Sequence, residues 1–132
     1  MCPTVDLSTP PGTMQPIGRY SHISKVGPFI TIGGTAGVDP KTGDLAGPDI
    51  ASQTQQILDM FETMLGSVGS DLNHIIHINV FLTDMNDFEP MNAAYVDKMG
   101  ERRPARTAIA VAGVPKPGAL ITMNLTAVAI NG

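Results

Sequence analysis

Apolar residues recur in short alternating runs near the start of the chain, which is the pattern of β-strands. Residues 21–26 read S-H-I-S-K-V and residues 29–34 read F-I-T-I-G-G, with a Gly-Pro break between them. Two such runs joined by a turn predict an antiparallel hairpin. Residues 8–17 hold three prolines and a glycine. We therefore expect residues 1–17 to form an irregular lead-in.

The apolar period then changes to that of an amphipathic helix. The apolar positions at this helical spacing are Ile50, Ile57, Phe61, Met64 and Leu65. Asp49 stands before them as a suitable N-cap, and Gly66 and Gly69 end the run. The preceding residues 38–45 are rich in turn formers, so we expect them to form a surface loop.

A third strand is predicted over residues 75–82, I-I-H-I-N-V-F-L. Alternation divides this strand into one apolar face and one mixed face. The apolar face holds Ile76, Ile78, Val80 and Leu82, and the mixed face holds Ile75, His77, Asn79 and Phe81. The apolar face should therefore contribute to the core.

Residues 87–99 predict a second helix that begins at a possible cap, Asp87, and ends before Gly100. Its inward stripe is Phe88, Met91, Tyr95 and Met99. Strands over residues 107–114 and 120–130 close the chain. The resulting order, β-β-α-β-α-β-β, indicates one α+β domain over residues 1–132, with both helices packed on one face of a mixed sheet.

The last predicted strand leaves a face that is neither cleanly polar nor cleanly apolar. Ile121, Met123, Leu125, Ala127 and Ala129 should face the helices. The opposite face carries Leu120, Thr122, Asn124, Thr126, Val128 and Ile130. Because a chain of 132 residues has little left to cover this surface, we expect another subunit to cover it.

Composition narrows the class of protein. The chain is 42% hydrophobic and carries a net charge of −4, which disfavours general nucleic-acid affinity because that affinity needs many cations. No apolar run reaches the ~18 residues of a membrane span, and the first residues lack the features of a signal peptide. We expect a soluble, cytoplasmic protein. Its single cysteine, Cys2, should be inert.

Familiar catalytic motifs are missing from the sequence. There is no Gly-rich phosphate loop, serine-nucleophile motif or zinc signature. His74 and His77 are three residues apart, a spacing that would put them on opposite faces of a strand. His22 should be a surface or interface histidine. We therefore expect no metal and no cofactor.

Arg106 is the unusual charged residue, because an apolar run follows it directly. Its guanidinium is always charged, and its planar fork matches a carboxylate. Pro104 favours an extended approach to it. On the residues alone, an exposed arginine at a strand entrance, with Arg102 and Arg103 as solvated neighbours, is the favoured interpretation. A carboxylate anchor is the alternative.

Several ordered motifs resemble those of the RidA/YjgF family of small imine deaminases. They are G-R-Y-S-H (18–22), D-P-K-T-G-D-L (39–45), V-F-L-T-D-M-N-D-F (80–88), M-N-A-A-Y (91–95) and R-P-A-R-T (103–107). The similarity runs from about Ile17 to Ile130. The resemblance implies a chorismate-mutase-like α+β fold and a homotrimer with clefts between its subunits.

The resemblance also implies roles for individual residues. Arg106 occupies the place of the arginine that grips the carboxylate of a 2-imino acid. The expected substrate-binding residues beside it are Tyr20, Gly33, Thr35, Asn92 and Thr107. Three positions depart from the family pattern: Arg19 replaces a proline, Gly33 stands where many members have serine, and Thr35 where many have glutamine.

Asn124 is a further departure, and it bears on mechanism. The family strand reads like E-I-E-A and its first glutamate is thought to hold the attacking water, whereas this chain has N-L-T-A at residues 124–127. An amide can orient water but cannot accept its proton. General acid–base help is commonly worth ~100- to 10,000-fold. We therefore expect Asn124 to act in a slower enzyme or on a different substrate.

Three functions follow from the sequence. The first is hydrolytic deamination of small, reactive 2-imino or enamino acids to 2-oxo acids and ammonia, with Arg106 holding the carboxylate. The second is a non-catalytic trimer that binds a small carboxylate through the same arginine. RNA cleavage is a distant third, because the chain is acidic and poor in aromatic residues.

Overall fold

One mixed sheet backed by two helices organises the chain, and the computed structural model describes residues 4–131. The elements are β1 (Asp6–Ser8), β2 (Ile23–Val26), β3 (Phe29–Ala36), α1 (Ile50–Ser67), β4 (Ile75–Leu82), α2 (Phe88–Met99), β5 (Ala105–Ala110) and β6 (Ile121–Val128). The strand order is β1-β2-β3-β6-β4-β5, and only β4 and β5 pair in parallel. The predicted α+β class is confirmed.

Strand β1 lies inside the lead-in that the sequence predicted to be irregular. It adds three residues to the edge of the predicted hairpin, with Leu7 opposite Ser24. Two prolines follow one residue after β1, so local composition conceals a strand that depends on pairing with β2. Cys2 lies outside the described residues.

Helix α1 begins where the sequence indicates. Asp49 Oδ2 accepts a hydrogen bond of 3.0 Å from the backbone nitrogen of Ser52, which satisfies one free amide of the first turn. Helix α2 begins differently, because the Asp87 side chain makes no capping hydrogen bond. Asp84 instead caps the single turn before the helix by accepting from the Asn86 nitrogen at 2.9 Å.

The core lies between the helices and one face of the sheet. Fully buried large side chains come from both layers, among them Ile30, Ile32, Phe61, Met64, Ile78, Leu82, Met91 and Met99. Each such side chain is worth roughly 1.5–3 kcal/mol of transfer free energy. The alternation predicted for the last strand is confirmed from Ile121 to Ala127, whereas Ala129 lies beyond β6 and is only partly buried.

Two residues of β4, Ile75 and Ile76, were assigned to the wrong faces. The pairing with β6 shifts register between Ile75 and His77. This bulge turns Ile75 into the core at 8% exposure and leaves Ile76 outside at 45%. The sequence predicted the reverse, because strict alternation does not allow for the extra residue of a bulge.

The sheet surface turned away from the helices, called the open face below, carries no charged side chain within the described strands. Pairing places on it Leu7, Ser24, Val26, Phe29, Thr31, His77, Asn79, Phe81, Ala105, Thr107, Ile109, Thr122, Asn124, Thr126 and Val128. No helix or further strand of the described chain packs over these residues as a third layer. The expectation that another subunit covers this face stays a prediction.

A buried glutamine ties two loops to helix α1. Gln53 is fully buried, and its Nε2 donates to the carbonyl oxygens of Gly47 at 3.0 Å and Gly118 at 3.4 Å. Its Oε1 accepts from the Leu120 nitrogen at 2.8 Å. The helix also packs tightly here, because a Cβ built on Gly37 would lie 2.5 Å from the Gln53 carbonyl oxygen.

Candidate functional site

Arg106 lies inside β5, and its side chain points toward the helices. The strand spans 105–110 instead of the predicted 107–114, because its pairing partner β4 ends at Leu82 opposite Ala110. Arg106 pairs with Ile78, whose side chain is buried on the helix side. The predicted start of the strand was therefore wrong by two residues, and Arg106 is the second residue of β5.

Helix α2 holds the Arg106 guanidinium from three directions. Its Nη1 donates to Asn92 Oδ1 at 2.9 Å. The guanidinium carbon lies 4.7 Å from the centroid of the Tyr95 ring and 5.8 Å from that of Phe88. Asn92 and Tyr95 are three positions apart on the helix, so both face β5. One hydrogen bond and two aromatic rings therefore fix a cation that retains other donors.

Tyr95 contributes its ring and leaves its hydroxyl unused. The side chain is buried, and the hydroxyl has no hydrogen-bond partner among the described residues. Burial raises the pKa of the Tyr95 phenol, while the nearby Arg106 charge opposes that rise. The phenol therefore stays neutral. Contact between a guanidinium and such a ring is worth about 0.5–2 kcal/mol, more where water is excluded.

Beside this clamp lies a surface hollow of about 470 Å³, called the anchor hollow below. Three arginines line it, Arg102, Arg103 and Arg106, and none of its lining residues is acidic. Arg102 already uses two of its donors within the chain, because it donates to Asn73 Oδ1 at 2.7 Å and to the Met99 carbonyl oxygen at 3.1 Å. Electrostatically, the hollow favours an anion.

Asn124 sits on the open face in a row of polar side chains. Asn79 lies between Asn124 on β6 and Thr107 on β5. Asn79 Nδ2 donates to Asn124 Oδ1 at 2.8 Å, so the Asn124 amide nitrogen remains as a donor. His77 Nε2 lies 3.1 Å from Thr107 Oγ1. This row can orient a water molecule or a carbonyl group, but it offers no carboxylate to take a proton.

Tyr20, Gly33 and Thr35 lie far from Arg106 along the strand order, because Gly33 and Thr35 belong to β3 and Tyr20 precedes β2. A register shift between Ile32 and Thr35 leaves Gly33 and Gly34 in a bulge. A Cβ on either glycine would meet nothing within 4 Å, so a serine fits at Gly33 without a clash. The Thr35 side chain is buried and donates to the Gly33 carbonyl oxygen at 2.9 Å. This hydrogen bond from the buried Thr35 side chain thus helps to fix the backbone of the bulge.

A second hollow, of about 390 Å³, opens beside this bulge and is called the bulge hollow below. Tyr20, Gly34, Thr35 and Thr122 contribute to its lining, and Lys116 is its one charged residue. The Tyr20 hydroxyl accepts from the Ile17 nitrogen at 3.3 Å. This hollow combines apolar walls with a single cation.

Within one chain the predicted site residues form three separate groups, of which the residues around the β3 bulge are one. Arg106 and Asn92 meet on the helix side, whereas Asn124 and Thr107 lie on the open face. The strands β6 and β4 separate β3 from β5, which corresponds to about 14 Å at ~4.8 Å per strand. A small substrate cannot contact Arg106 and Gly33 of the same chain at once.

Two histidine predictions were wrong. His22 was expected at a surface or an interface, yet it is buried within the chain, with Nε2 2.6 Å from the Met14 carbonyl oxygen. The surrounding lead-in covers it, and no local pattern signals that cover. His74 lies in the turn Leu72–His74 and not on a strand, where it contacts Asp71 Oδ1 at 2.6 Å. His74 lowers the pKa of the Asp71 carboxyl through this hydrogen bond.

Residues 4–131 contain no group of three or more His, Cys, Asp or Glu side chains placed to hold a metal ion. In the same range, neither helix is both long enough and apolar enough to cross a membrane.

Comparison with known proteins identifies the chain's relatives. Residues 12–129 match the family model described as endoribonuclease L-PSP. A RutC family protein of Pyrococcus horikoshii is 44% identical over 102 residues, which cover 77% of this chain and 81% of that protein. The human 2-iminobutanoate/2-iminopropanoate deaminase is 34% identical over 116 residues, which cover 88% of this chain and 82% of the deaminase.

Solved structures agree with these sequence matches. RidA from an Antarctic Psychrobacter superposes with a TM-score of 0.88 and 30% identity, covering 93% of this chain and 98% of the other. The YjgF gene product of E. coli gives a TM-score of 0.87 and 31% identity, with the same coverage of 93% and 98%. The predicted resemblance is confirmed, and the chain belongs to the endoribonuclease L-PSP family, the family of the YjgF and RidA proteins.

Proposed function

We propose that the protein is a hydrolytic deaminase of small 2-imino acids and that Arg106 anchors the substrate carboxylate. The observation that carries this proposal is the clamp on Arg106. Asn92, Tyr95 and Phe88 fix the guanidinium at the edge of a hollow without acidic residues. Of the five N–H groups of an arginine, one is used by Asn92, and the others suit a carboxylate. The similarity to the human imino-acid deaminase supports the same chemistry.

The reaction needs no oxidant and no cofactor. Water adds to the imine carbon and forms a C–O bond, while the electron pair of the C=N bond moves to nitrogen, which takes up a proton. The C=O bond then forms, the C–N bond breaks and ammonia leaves. A 2-imino acid and water thus give a 2-oxo acid and ammonia. The protein's contribution is to bind the carboxylate and to orient the water.

Asn124 is the group that we propose orients the water. Its free amide nitrogen is a donor, because its oxygen already accepts from Asn79 at 2.8 Å. A donor can hold the oxygen of water with a lone pair toward the imine carbon. Because the amide takes no proton, the proton must pass to the substrate nitrogen or to solvent, and the chemical step should be slow.

The complete site requires a second copy of the chain. Arg106 and Asn124 lie on opposite faces of one sheet, so the open face of a neighbouring subunit must supply Asn124 and the Gly33 bulge. Exposed apolar side chains on that face, Phe29 and Ile109, suit such an interface. We propose a homotrimer with its clefts between subunits.

A coupled assay tests the deaminase. Threonine dehydratase generates the imine from threonine or serine, and 2-oxo acid release is followed with and without the protein. We expect acceleration in the native protein and at least about 100-fold less in Arg106→Ala, because charge-assisted anchoring is worth several kcal/mol. Lys41→Ala, which removes a cation from an exposed loop, is the control. Equal turnover by Arg106→Ala would refute the assignment.

The second candidate is a carboxylate-binding trimer without catalysis, and the amide at Asn124 favours it. It shares the Arg106 anchor but lacks a proton acceptor. In that case 2-oxo acids at millimolar concentration should raise the melting temperature through Arg106, with no acceleration in the coupled assay. Acceleration that depends on Arg106 would exclude it.

A further inference from the structure

We infer that the substrate carries a second anionic group and that Arg103 selects it. This inference rests on the proposed function, since it names the class of 2-imino acid that the Arg106 site takes. The chemistry is that of a 2-imino dicarboxylate, with one carboxylate on Arg106 and the other on Arg103.

The three arginines of the anchor hollow differ in how they are engaged. Arg106 is clamped by α2, and Arg102 is bound to Asn73 and to the Met99 carbonyl. Arg103 is exposed and makes no hydrogen bond or ion pair with any described residue. It lines the same hollow as Arg106. Its guanidinium is therefore the second donor set available to a ligand.

The charge around the hollow points to a dianion. The chain has a net charge of −4, yet none of the residues lining the anchor hollow is acidic. Glu101 is the nearest acidic residue in sequence, and it lines an adjacent hollow together with Arg102 and Arg103, but it makes no ion pair with either arginine. A monocarboxylate engages one guanidinium and leaves the Arg103 charge unmatched. A second carboxylate would match it.

The other half of the proposed site does not oppose a second negative charge. The open face carries no carboxylate within the described strands, and Asn124 presents an amide nitrogen to the cleft. The bulge hollow adds Lys116 as its one charged residue. Each surface that would enclose the substrate is thus neutral or cationic. Such a site suits imines formed by oxidation of acidic amino acids.

Binding of two 2-oxo acids tests this inference independently of turnover. They are 2-oxobutanoate and 2-oxoglutarate, and the second has one additional carboxylate. By calorimetry, we expect the native protein to bind the dicarboxylate about tenfold more tightly, as a charge-assisted hydrogen bond implies. Arg103→Gln should abolish this ratio, and Arg103→Lys should retain part of it. Lys41→Gln, an equal loss of charge in an exposed loop, should leave it unchanged.

Turnover separates this inference from the proposed function. Arg103→Gln should lower kcat/KM for an imine generated by an amino-acid oxidase from glutamate by a clearly larger factor than it lowers kcat/KM for 2-iminopropanoate. A native protein that binds both 2-oxo acids equally would overturn the role of Arg103, even if it deaminates 2-iminopropanoate. So would an equal loss for both ligands in Arg103→Gln. Tighter binding of a short single-stranded RNA than of 2-oxoglutarate, dependent on Arg103, would also overturn it.

Discussion

The two faces of the sheet handle polar groups in opposite ways. On the helix side, a permanent cation, Arg106, is fixed by a hydrogen bond of 2.9 Å and by two aromatic rings. On the open face, Asn79 and Asn124 pair as neutral amides at 2.8 Å. In the proposed function, binding and chemistry are therefore separable. The proposed carboxylate anchor is held entirely by groups of one chain, whereas the face proposed to orient the water has no carboxylate within the described strands that could act as a base.

The largest effect should come from a variant that places a carboxylate, which can act as a base, on the open face. Asn124→Glu should raise kcat for 2-iminopropanoate by about 100-fold, because a carboxylate can accept the proton of the attacking water. Asn79 already donates to this position and can donate to the carboxylate as well. Steady-state kinetics of the coupled reaction measure the change.

Thr126→Glu is the matched control for that variant. It places a carboxylate on the same face of β6, two residues along, opposite His77. The rate of this variant should stay close to that of the native protein. If both variants accelerate equally, or if Asn124→Glu does not accelerate at all, position 124 is not where the water is activated.

A smaller effect should come from a variant in which a side chain of the protein itself occupies the Arg106 guanidinium. Asn92→Asp places a carboxylate against Arg106 at the present 2.9 Å contact, so it competes with the substrate. KM should rise at least about tenfold, since charge-assisted bonds contribute about 1.5–3 kcal/mol. Asn92→Leu removes the hydrogen bond without adding charge and should raise KM less. Equal KM values for the two variants would contradict competition at Arg106.

The smallest predicted effect separates the ring of Tyr95 from its hydroxyl. Tyr95→Leu removes the contact with the guanidinium and should raise KM about threefold to fivefold. Tyr95→Phe keeps the ring and removes a buried hydroxyl without a partner, so KM should be unchanged and stability equal or slightly higher. Kinetics and thermal unfolding of both variants test this. An equal loss in Tyr95→Phe would show that the hydroxyl contributes.

Local patterns predicted the elements well and the faces less well. Strand β4 matches its predicted bounds, 75–82, because a β-branched run between polar turns has few alternatives. Alternation in the same run assigned Ile76 to the wrong face of the sheet, because a bulge depends on the pairing partner. Which face Arg106 takes depends likewise on its register with Ile78. Sequence motifs thus indicated candidate residues, but pairing across strands decides which of them meet.

The contact between Asn79 and Asn124 could not be predicted from the sequence for the same reason. The two residues are 45 positions apart, and only the antiparallel register of β4 with β6 makes them neighbours. The Tyr95 contact had a signal that was available, since the M-N-x-x-Y spacing puts Asn92 and Tyr95 on one helical face. The spacing alone did not show which strand packs against that helical face.

Gln53 gives the loops around the bulge hollow the stability of the core. Its side chain bonds Gly47, Gly118 and Leu120 from a fully buried position, and it joins segments 65 and 67 residues apart. Opening either loop alone would leave buried amide groups without hydrogen-bond partners, at a cost of roughly 1–3 kcal/mol for each group. The Leu120 amide should therefore exchange with solvent deuterium as slowly as the central strands. We expect these loops to unfold only with the whole molecule, so that the wall they form beside the bulge keeps its shape when no ligand is bound.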